Sequence, residues 1–223
     1  MLGDRPHRAI DMVRREGPLG ASRSVLRNGL GHLYLRQEHF WYGLELDGHP
    51  RRSLPEEVRL ERVDEPLLER VTEVGQSAAE ARARHADGCD VWMAFEGDEL
   101  LFACYTFRRR APVMAAPTGE LELPPRTAVL EDSVTAPAAR GRGIAPASWS
   151  EIADVLAADG FRTLITKVET SNVPSRKAVE KAGFRELAVM KHSRLGLRRR
   201  TRLYAYEAGL ATELAWLLSI PGP

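Results

Sequence analysis

The chain is short of cysteine, of lysine, of long apolar runs and of net charge, and each shortage closes off a class of protein. Only Cys89 and Cys104 occur in 223 residues, too few for the disulfide framework that staples secreted domains. Each sits in an apolar stretch, so two buried thiols in a reducing, cytoplasmic setting are expected. No segment approaches the roughly 18 apolar residues of a membrane-spanning helix. Arg5, Arg8, Arg14 and Arg15 are not followed by the apolar core and small-residue cleavage site of a secretory signal. Lys and Arg number 32 against 31 Asp and Glu, a formal charge of +1, which gives no electrostatic reason to expect a nucleic-acid partner. Lysine occurs only as Lys167, Lys177, Lys181 and Lys191, and with the abundant alanine this reads as biased codon usage. His7, His32, His39, His49 and His85 fall in no metal-ligand spacing, so no metal is expected.

What is present suffices for a folded domain. The 43% hydrophobic content fills a core, and the length suits one large domain, or an ordinary one with an extension. Three parts are read: an extension over 1–55, a main domain over 56–207 and a tail over 208–223. The extension reads as helical to about residue 37, around Ile10, Met12, Val13 and then Val25, Leu26, Leu30 and Leu33, broken at Gly17-Pro18 and Gly20. A strand is expected at Phe40 to Leu46 and a linker at Arg51 to Pro55.

Beyond it, Val58 to Val63 alternates as a strand, and Leu67 to Ala83 reads as one helix opened by Asp64. Val91 to Phe95 and Leu100 to Phe107 flank Glu96-Gly97-Asp98-Glu99, a hairpin signature. A connection at Ala111 to Pro125 leads to strand Thr127 to Thr135, a glycine turn at Arg140 to Gly143, and a helix from Pro146 to Ala158 with Trp149, Ile152, Val155 and Leu156 on one face. Strand Thr163 to Val168, helix Ser175 to Ala182, strands Phe184 to Met190 and Arg202 to Tyr206, and a short helix at Leu210 to Leu218 complete the order. The class is mixed α/β.

The segment richest in chemistry is Val134-Thr-Ala-Pro-Ala-Ala-Arg-Gly-Arg-Gly-Ile-Ala145, where a strand runs through a glycine turn into a helix. Backbone N–H groups and the positive end of the helix dipole converge at such a junction, and their natural ligand is a phosphate or pyrophosphate. It has neither the Gly-Lys-Ser/Thr of a P-loop nor the third glycine of a dinucleotide fold. A second segment, Ser171-Asn-Val-Pro-Ser175 through Lys181-Ala-Gly-Phe184, reads as a loop begun by Asn172, a helix capped by Ser175, and a stop at Gly183.

Together, in this order, the two segments resemble the GNAT superfamily of acyl-CoA-dependent N-acetyltransferases, over about Val58 to Tyr206. Arg140-Gly-Arg-Gly143-Ile-Ala145 is similar to that family's Arg/Gln-x-x-Gly-x-Gly/Ala turn, and Asn172, Ser175 and Lys181-Ala-Gly-Phe184 to its second motif. The resemblance implies a largely antiparallel sheet with two splayed parallel strands, flanked by helices, and acetyl-CoA as co-substrate without a metal. It implies pyrophosphate binding by the amides of Arg142, Gly143, Ile144 and Ala145, with Arg140 and Gly141 shaping the turn. Pantetheine would lie along Val134 and Thr135, with Asn172 and Ser175 beside it and Arg176 and Lys177 near the adenosine phosphate.

The family's usual chemistry is direct attack of an amine on the thioester, which needs a base but no covalent intermediate. Glu131 and then Glu169 are the candidate bases. Strand alternation would turn Glu131 and Asp132 to opposite faces. Many members place a Tyr seven residues after the second-motif Asn; here that position is Val179, with Tyr204 and Tyr206 as fallback acids. The expected acceptor is a small-molecule primary amine, an amino sugar or amino acid. Acetylation of a protein N-terminus or lysine, and a non-catalytic acyl-CoA-binding module, stay open, as does a homodimer or peripheral contact through the N-terminal helices. Whether the run Arg198-Arg199-Arg200 and Arg194 face the site is also open; if they do, the acceptor carries an anionic group.

Overall fold

A computed structural model of the protein describes residues 34–116, 119–196, 198–206 and 209–219. An eight-stranded mixed sheet forms its centre, built from β1 (Tyr34–Glu45), β2 (Val58–Val63), β3 (Asp90–Glu96), β4 (Glu99–Phe107), β7 (Thr127–Thr135), β8 (Thr163–Glu169), β9 (Arg185–Leu195) and β10 (Arg198–Ala205). Their order across the sheet is β10-β9-β1-β8-β7-β4-β3-β2; β5 (Arg110–Pro112) and β6 (Glu120–Glu122) form a separate small hairpin. Every neighbouring pair in the large sheet is antiparallel except β7 and β8. The helices are α1 (Ala78–Ala86), α2 (Ile144–Ala158), α3 (Val173–Lys181) and α4 (Leu210–Ser219), with a 3₁₀ segment at Glu65–Val74. None of them is long and apolar enough to cross a membrane.

The one parallel pair needs a crossover, and α2 supplies it between β7 and β8. Trp149, Ile152, Ala153 and Leu156 are buried, at the i, i+3, i+4, i+7 spacing of one helix face. Val155, expected among them, is exposed because it falls one position off that stripe. Trp149 meets Phe102 and Phe184 edge-on, with ring centroids 6.5 and 6.3 Å apart, and this locks the crossover onto the sheet. Cys89 and Cys104 are free and buried, as expected.

Several local readings are corrected. Residues 34–37 are strand rather than helix, and the rest of the helical reading over 1–33 lies outside the described residues. The strand expected at Phe40 to Leu46 is part of β1, which lies between β8 and β9 and pairs with both. The single helix expected at Leu67 to Ala83 is two segments, because Gly75 turns the chain at φ +84 and Ser77 caps α1 by accepting the Glu80 amide; Asp64 makes no capping bond. The connection at Ala111 to Pro125 folds back as the β5–β6 hairpin. Arg198, Arg199 and Arg200 belong to β10 itself, since Gly196 at φ +56 closes β9 and β10 into a long hairpin.

Candidate active site

The parallel strands part where the chemistry was expected. Pairing runs from Thr127 with Thr163 to Leu130 with Thr166 and then stops. At the last pair the Thr166 hydroxyl donates to the Leu130 carbonyl (2.8 Å), satisfying an acceptor that the lost ladder would orphan. Past this point each strand follows its outer neighbour. Val134 and Thr135 stay paired with Ala103 and Phe102 of β4, while Lys167 and Glu169 stay paired with Trp41 and His39 of β1. The inner edge of β7 from Glu131 to Thr135 therefore has no strand beside it among the described residues.

At the top of the gap the chain turns through Pro137–Ala139 into α2. Gly141 and Gly143 both sit at φ +80, the left-handed region that a side chain resists. Ala147 N–H to Gly143 C=O (3.2 Å) is the first bond of the helix, and Pro146 has no N–H, so the amides of Gly143, Ile144 and Ala145 are the orphan donors of a helix start. No side chain caps this start and no acidic residue stands in its first turn. It is a donor set made for an anion. The arginine side chains brace the turn: Arg140 Nε donates to the Thr135 carbonyl (3.3 Å), and Arg142 holds Glu96 of the β3–β4 hairpin at 2.5 and 3.1 Å.

Below the turn lies a cavity of about 640 Å³, floored by β1, β7, β8 and β9, walled by α2 and α3, and bordered by residues 112–115 and Gly119 of the β5–β6 hairpin. Its ionisable lining comprises His39, Arg84, Glu131, Asp132, Lys167 and Glu169. Glu131 and Lys167 form an ion pair across the point of separation. Burial pushes the Glu131 carboxyl above its ordinary range, and the Lys167 ammonium pulls it back. Asp132 is held by Arg84 at 2.6 Å, and its carbonyl accepts from Gln76 Nε2 at 2.5 Å.

Asp132 overturns the alternation argument. Tyr105 pairs with Glu131 but Ala103 with Val134, so β7 carries an extra residue here, and Asp132 takes φ +48. The bulge brings Glu131, Asp132 and Ser133 to the same cavity. Trp149 Nε1 donates to Ser133 Oγ (3.1 Å), fixing the bulge against α2.

The second motif departs in detail. Asn172, not Ser175, is the cap of α3: its Oδ1 accepts the Ser175 amide at 3.2 Å. Both residues line the cavity, as does Val179. Arg176 lies 4.3 Å over the Phe40 ring and donates to the Tyr42 hydroxyl and the Thr170 carbonyl, both at 3.3 Å. Tyr204 and Tyr206 are exposed and do not line the cavity. Of the expected site residues, Glu131, Glu169, Asn172 and Ser175 meet at the cavity, while Val134, Thr135 and Arg140 to Ala145 form the edge and turn above it.

Sequence reasoning missed His39. It pairs directly with Glu169 across β1 and β8, and no spacing could reveal a neighbour 130 positions away. Its Nδ1 is buried without a hydrogen-bond partner among the described residues. Burial, and then the Lys167 charge, lower its pKa, with Glu169 opposing.

The uncapped turn, the bare strand edge and the absence of acid in the first turn of α2 together fit the CoA pyrophosphate and pantetheine that the motifs imply. Known structures share the fold. In fold, the chain is similar to a GCN5-related N-acetyltransferase from Sphaerobacter thermophilus, at 17% identity and TM-score 0.53, over 86% of this chain and 60% of that one. It is likewise similar to a protein from Drosophila, at 15% identity and TM-score 0.53, over 79% of this chain and 58% of that one. It thus spans less than two thirds of either. No curated protein matches it in sequence. The model of the acetyltransferase (GNAT) family, however, matches residues 55–184, more than half of the sequence and both motifs, and on that match the chain belongs to the GNAT acetyltransferase family.

Proposed function

We propose that the protein transfers an acetyl group from acetyl-CoA to the primary amine of a small molecule, by direct attack of the amine on the thioester. The observation that carries this reading is the parting of β7 and β8 between an uncapped helix start and a cavity with an ionisable floor. The orphan amides of Gly143, Ile144 and Ala145 would hold the pyrophosphate, joined by that of Arg142 on release from the Ala139 carbonyl (3.4 Å), with Gly141 and the Arg140 bond to Thr135 keeping the turn open. The bare edge at Val134 and Thr135 would take the pantetheine amides as a strand takes its neighbour. Asn172 still has its side-chain N–H₂ to give, since capping uses only Oδ1.

Orientation and proton removal are what the floor contributes. Holding an amine near the carbonyl carbon supplies much of the acceleration, and the amine attacks only once it is neutral. Glu131 is committed to Lys167, so proton acceptance falls to the half of the floor that holds Glu169. A cavity of this size suits a small-molecule acceptor. Buried free thiols suit a reducing cytoplasm.

One observation favours a second reading. Val179 is buried where many members carry a Tyr, which leaves the leaving thiolate without a phenolic acid, as in an acyl-CoA binder that does not turn over. Calorimetric titration with acetyl-CoA and CoA, followed by thiol release with a panel of amines, separates the two. Micromolar binding with amine-dependent release supports the transferase; binding without release supports the binder; no binding by folded protein removes both.

A further inference from the structure

Resting on the acetyl-transfer reading above, we propose that His39 is the group that takes the proton from the acceptor amine, with Glu169 as its positioning partner. His39 stands on β1, outside the family-matched residues 55–184, so the family motifs do not supply it. The strand order does, by seating β1 against β8.

Four observations converge on this ring. It lies directly opposite Glu169, in register. Alternation along β8 puts Lys167 and Glu169 on one face, and their partners Trp41 and His39 share it. Both His39 and Glu169 line the cavity below the strand separation. Nδ1 is buried without a hydrogen-bond partner among the described residues, so Nε2 is the nitrogen we assign to proton acceptance. An imidazole suits proton transfer near neutral pH better than a carboxylate does.

Burial, helped by Lys167, keeps the ring neutral and ready to accept. Burial disfavours the imidazolium most, followed by Lys167; Glu169 favours it, and His192 of β9 disfavours it weakly. Glu131 on β7 is engaged by Lys167, and Arg84 of α1, on the same cavity, by Asp132. Glu169, opposite the ring across β1 and β8 and favouring its charged form, is the carboxylate that steadies the imidazolium as it forms.

The proton balance closes without another reactant. His39 takes one proton from the ammonium; the freed amine nitrogen bonds to the thioester carbonyl carbon; the C–S bond breaks as the carbonyl re-forms. The departing thiolate takes the second proton from the nitrogen, directly or through water, and His39 returns its proton to solvent. One thioester and one ammonium become one amide, one thiol and one released proton.

The test is thiol release from acetyl-CoA by the full chain with glucosamine, spermidine and lysine between pH 5 and 9, for wild type, His39→Gln and Glu169→Gln, with CoA titration of each. The wild-type rate should rise to a plateau through a limb below about pH 6.5. His39→Gln should lower kcat on the order of 100-fold and abolish that limb while CoA affinity stays put. Glu169→Gln, which leaves the ring in place, should move the limb to lower pH, so it reports on the role even if His39→Gln folds poorly. Turnover by His39→Gln within threefold of wild type, or an unmoved limb in folded Glu169→Gln, overturns the assignment of His39 alone. Wild type that binds CoA yet releases no thiol with any amine overturns the transferase reading and His39's role with it.

Discussion

The helix-start turn and the cavity floor are two halves of one site built by opposite means. The turn is local: Gly141, Gly143 and the α2 amides lie within a few residues of one another, and its shape follows from two positive φ angles and an uncapped helix. The floor is assembled from afar. His39, Glu131, Lys167 and Glu169 come from three strands and meet only because β1 seats itself beside β8 and β7 stops pairing after Leu130. A ligand that needs backbone donors is served by a short motif, whereas acid–base chemistry needs side chains that sheet topology must bring together. The turn should therefore fail through single backbone positions and the floor through its partnerships.

The largest expected effect is at the turn. Gly143→Val should abolish measurable CoA binding in calorimetry while leaving the far-ultraviolet circular dichroism of the chain in place. A Cβ at Gly143 meets nothing within 4 Å among the described residues, so the damage comes from a φ of +80 that valine resists and from a side chain standing where the ligand approaches. Binding retained at wild-type strength would remove the turn from the site.

Next comes the floor. Lys167→Met strands the Glu131 carboxylate in a buried position, and losing one partner of such a pair costs about 3 kcal/mol, readable as a lowered urea midpoint with unchanged m-value. The comparison is Arg142→Ala, which breaks an exposed pair with Glu96 beside the turn and should leave the midpoint nearly where it was. Equal losses in the two variants would contradict the division between a locally built turn and a floor held by pairing.

That division also decides what was legible in the sequence. The strand Thr127 to Thr135, the β3–β4 hairpin, the glycine turn and the second motif all carry their instructions within a dozen residues, and the structure has them close to where the pattern puts them. The place of β1 was not legible, because alternation identifies a strand without naming its neighbours; with it went the pairing of His39 and Glu169. The bulge at Asp132 was hidden for a similar reason: nothing in Glu131-Asp132-Ser133 announces an extra residue, which shows only against the register of β4. Β5 and β6 are three residues each, too short for alternation to register.

Gly183 joins the two modes and should show a smaller loss. It ends α3 at φ +94, as the motif anticipates, but a Cβ there would also meet Pro50 Cγ and Cδ at 2.8 Å, from the segment ahead of the family-matched residues. Gly183→Ala should cost about 2 kcal/mol, part backbone strain and part crowding. Pairing it with Pro50→Ala should recover the crowding share and leave the strain, whereas full recovery would mean that the positive φ matters little.

The smallest effect is the stability trace of the floor's histidine. Because the His39 pKa lies below its ordinary value of 6.5 in the folded protein, the unfolded chain binds the proton more readily. Wild-type stability is then fully present above that value and declines as pH falls through the window below it. His192 is shifted the same way by burial and by Arg199 and Arg194, so the described residues hold a second such histidine, and His39→Gln should flatten the decline without erasing it. Urea midpoints at pH 7.5 and 5.5 for both proteins measure this directly. A decline of the same size in the variant would mean that the ring opposite Glu169 titrates like one in water, and that the floor does not hold it neutral for proton transfer.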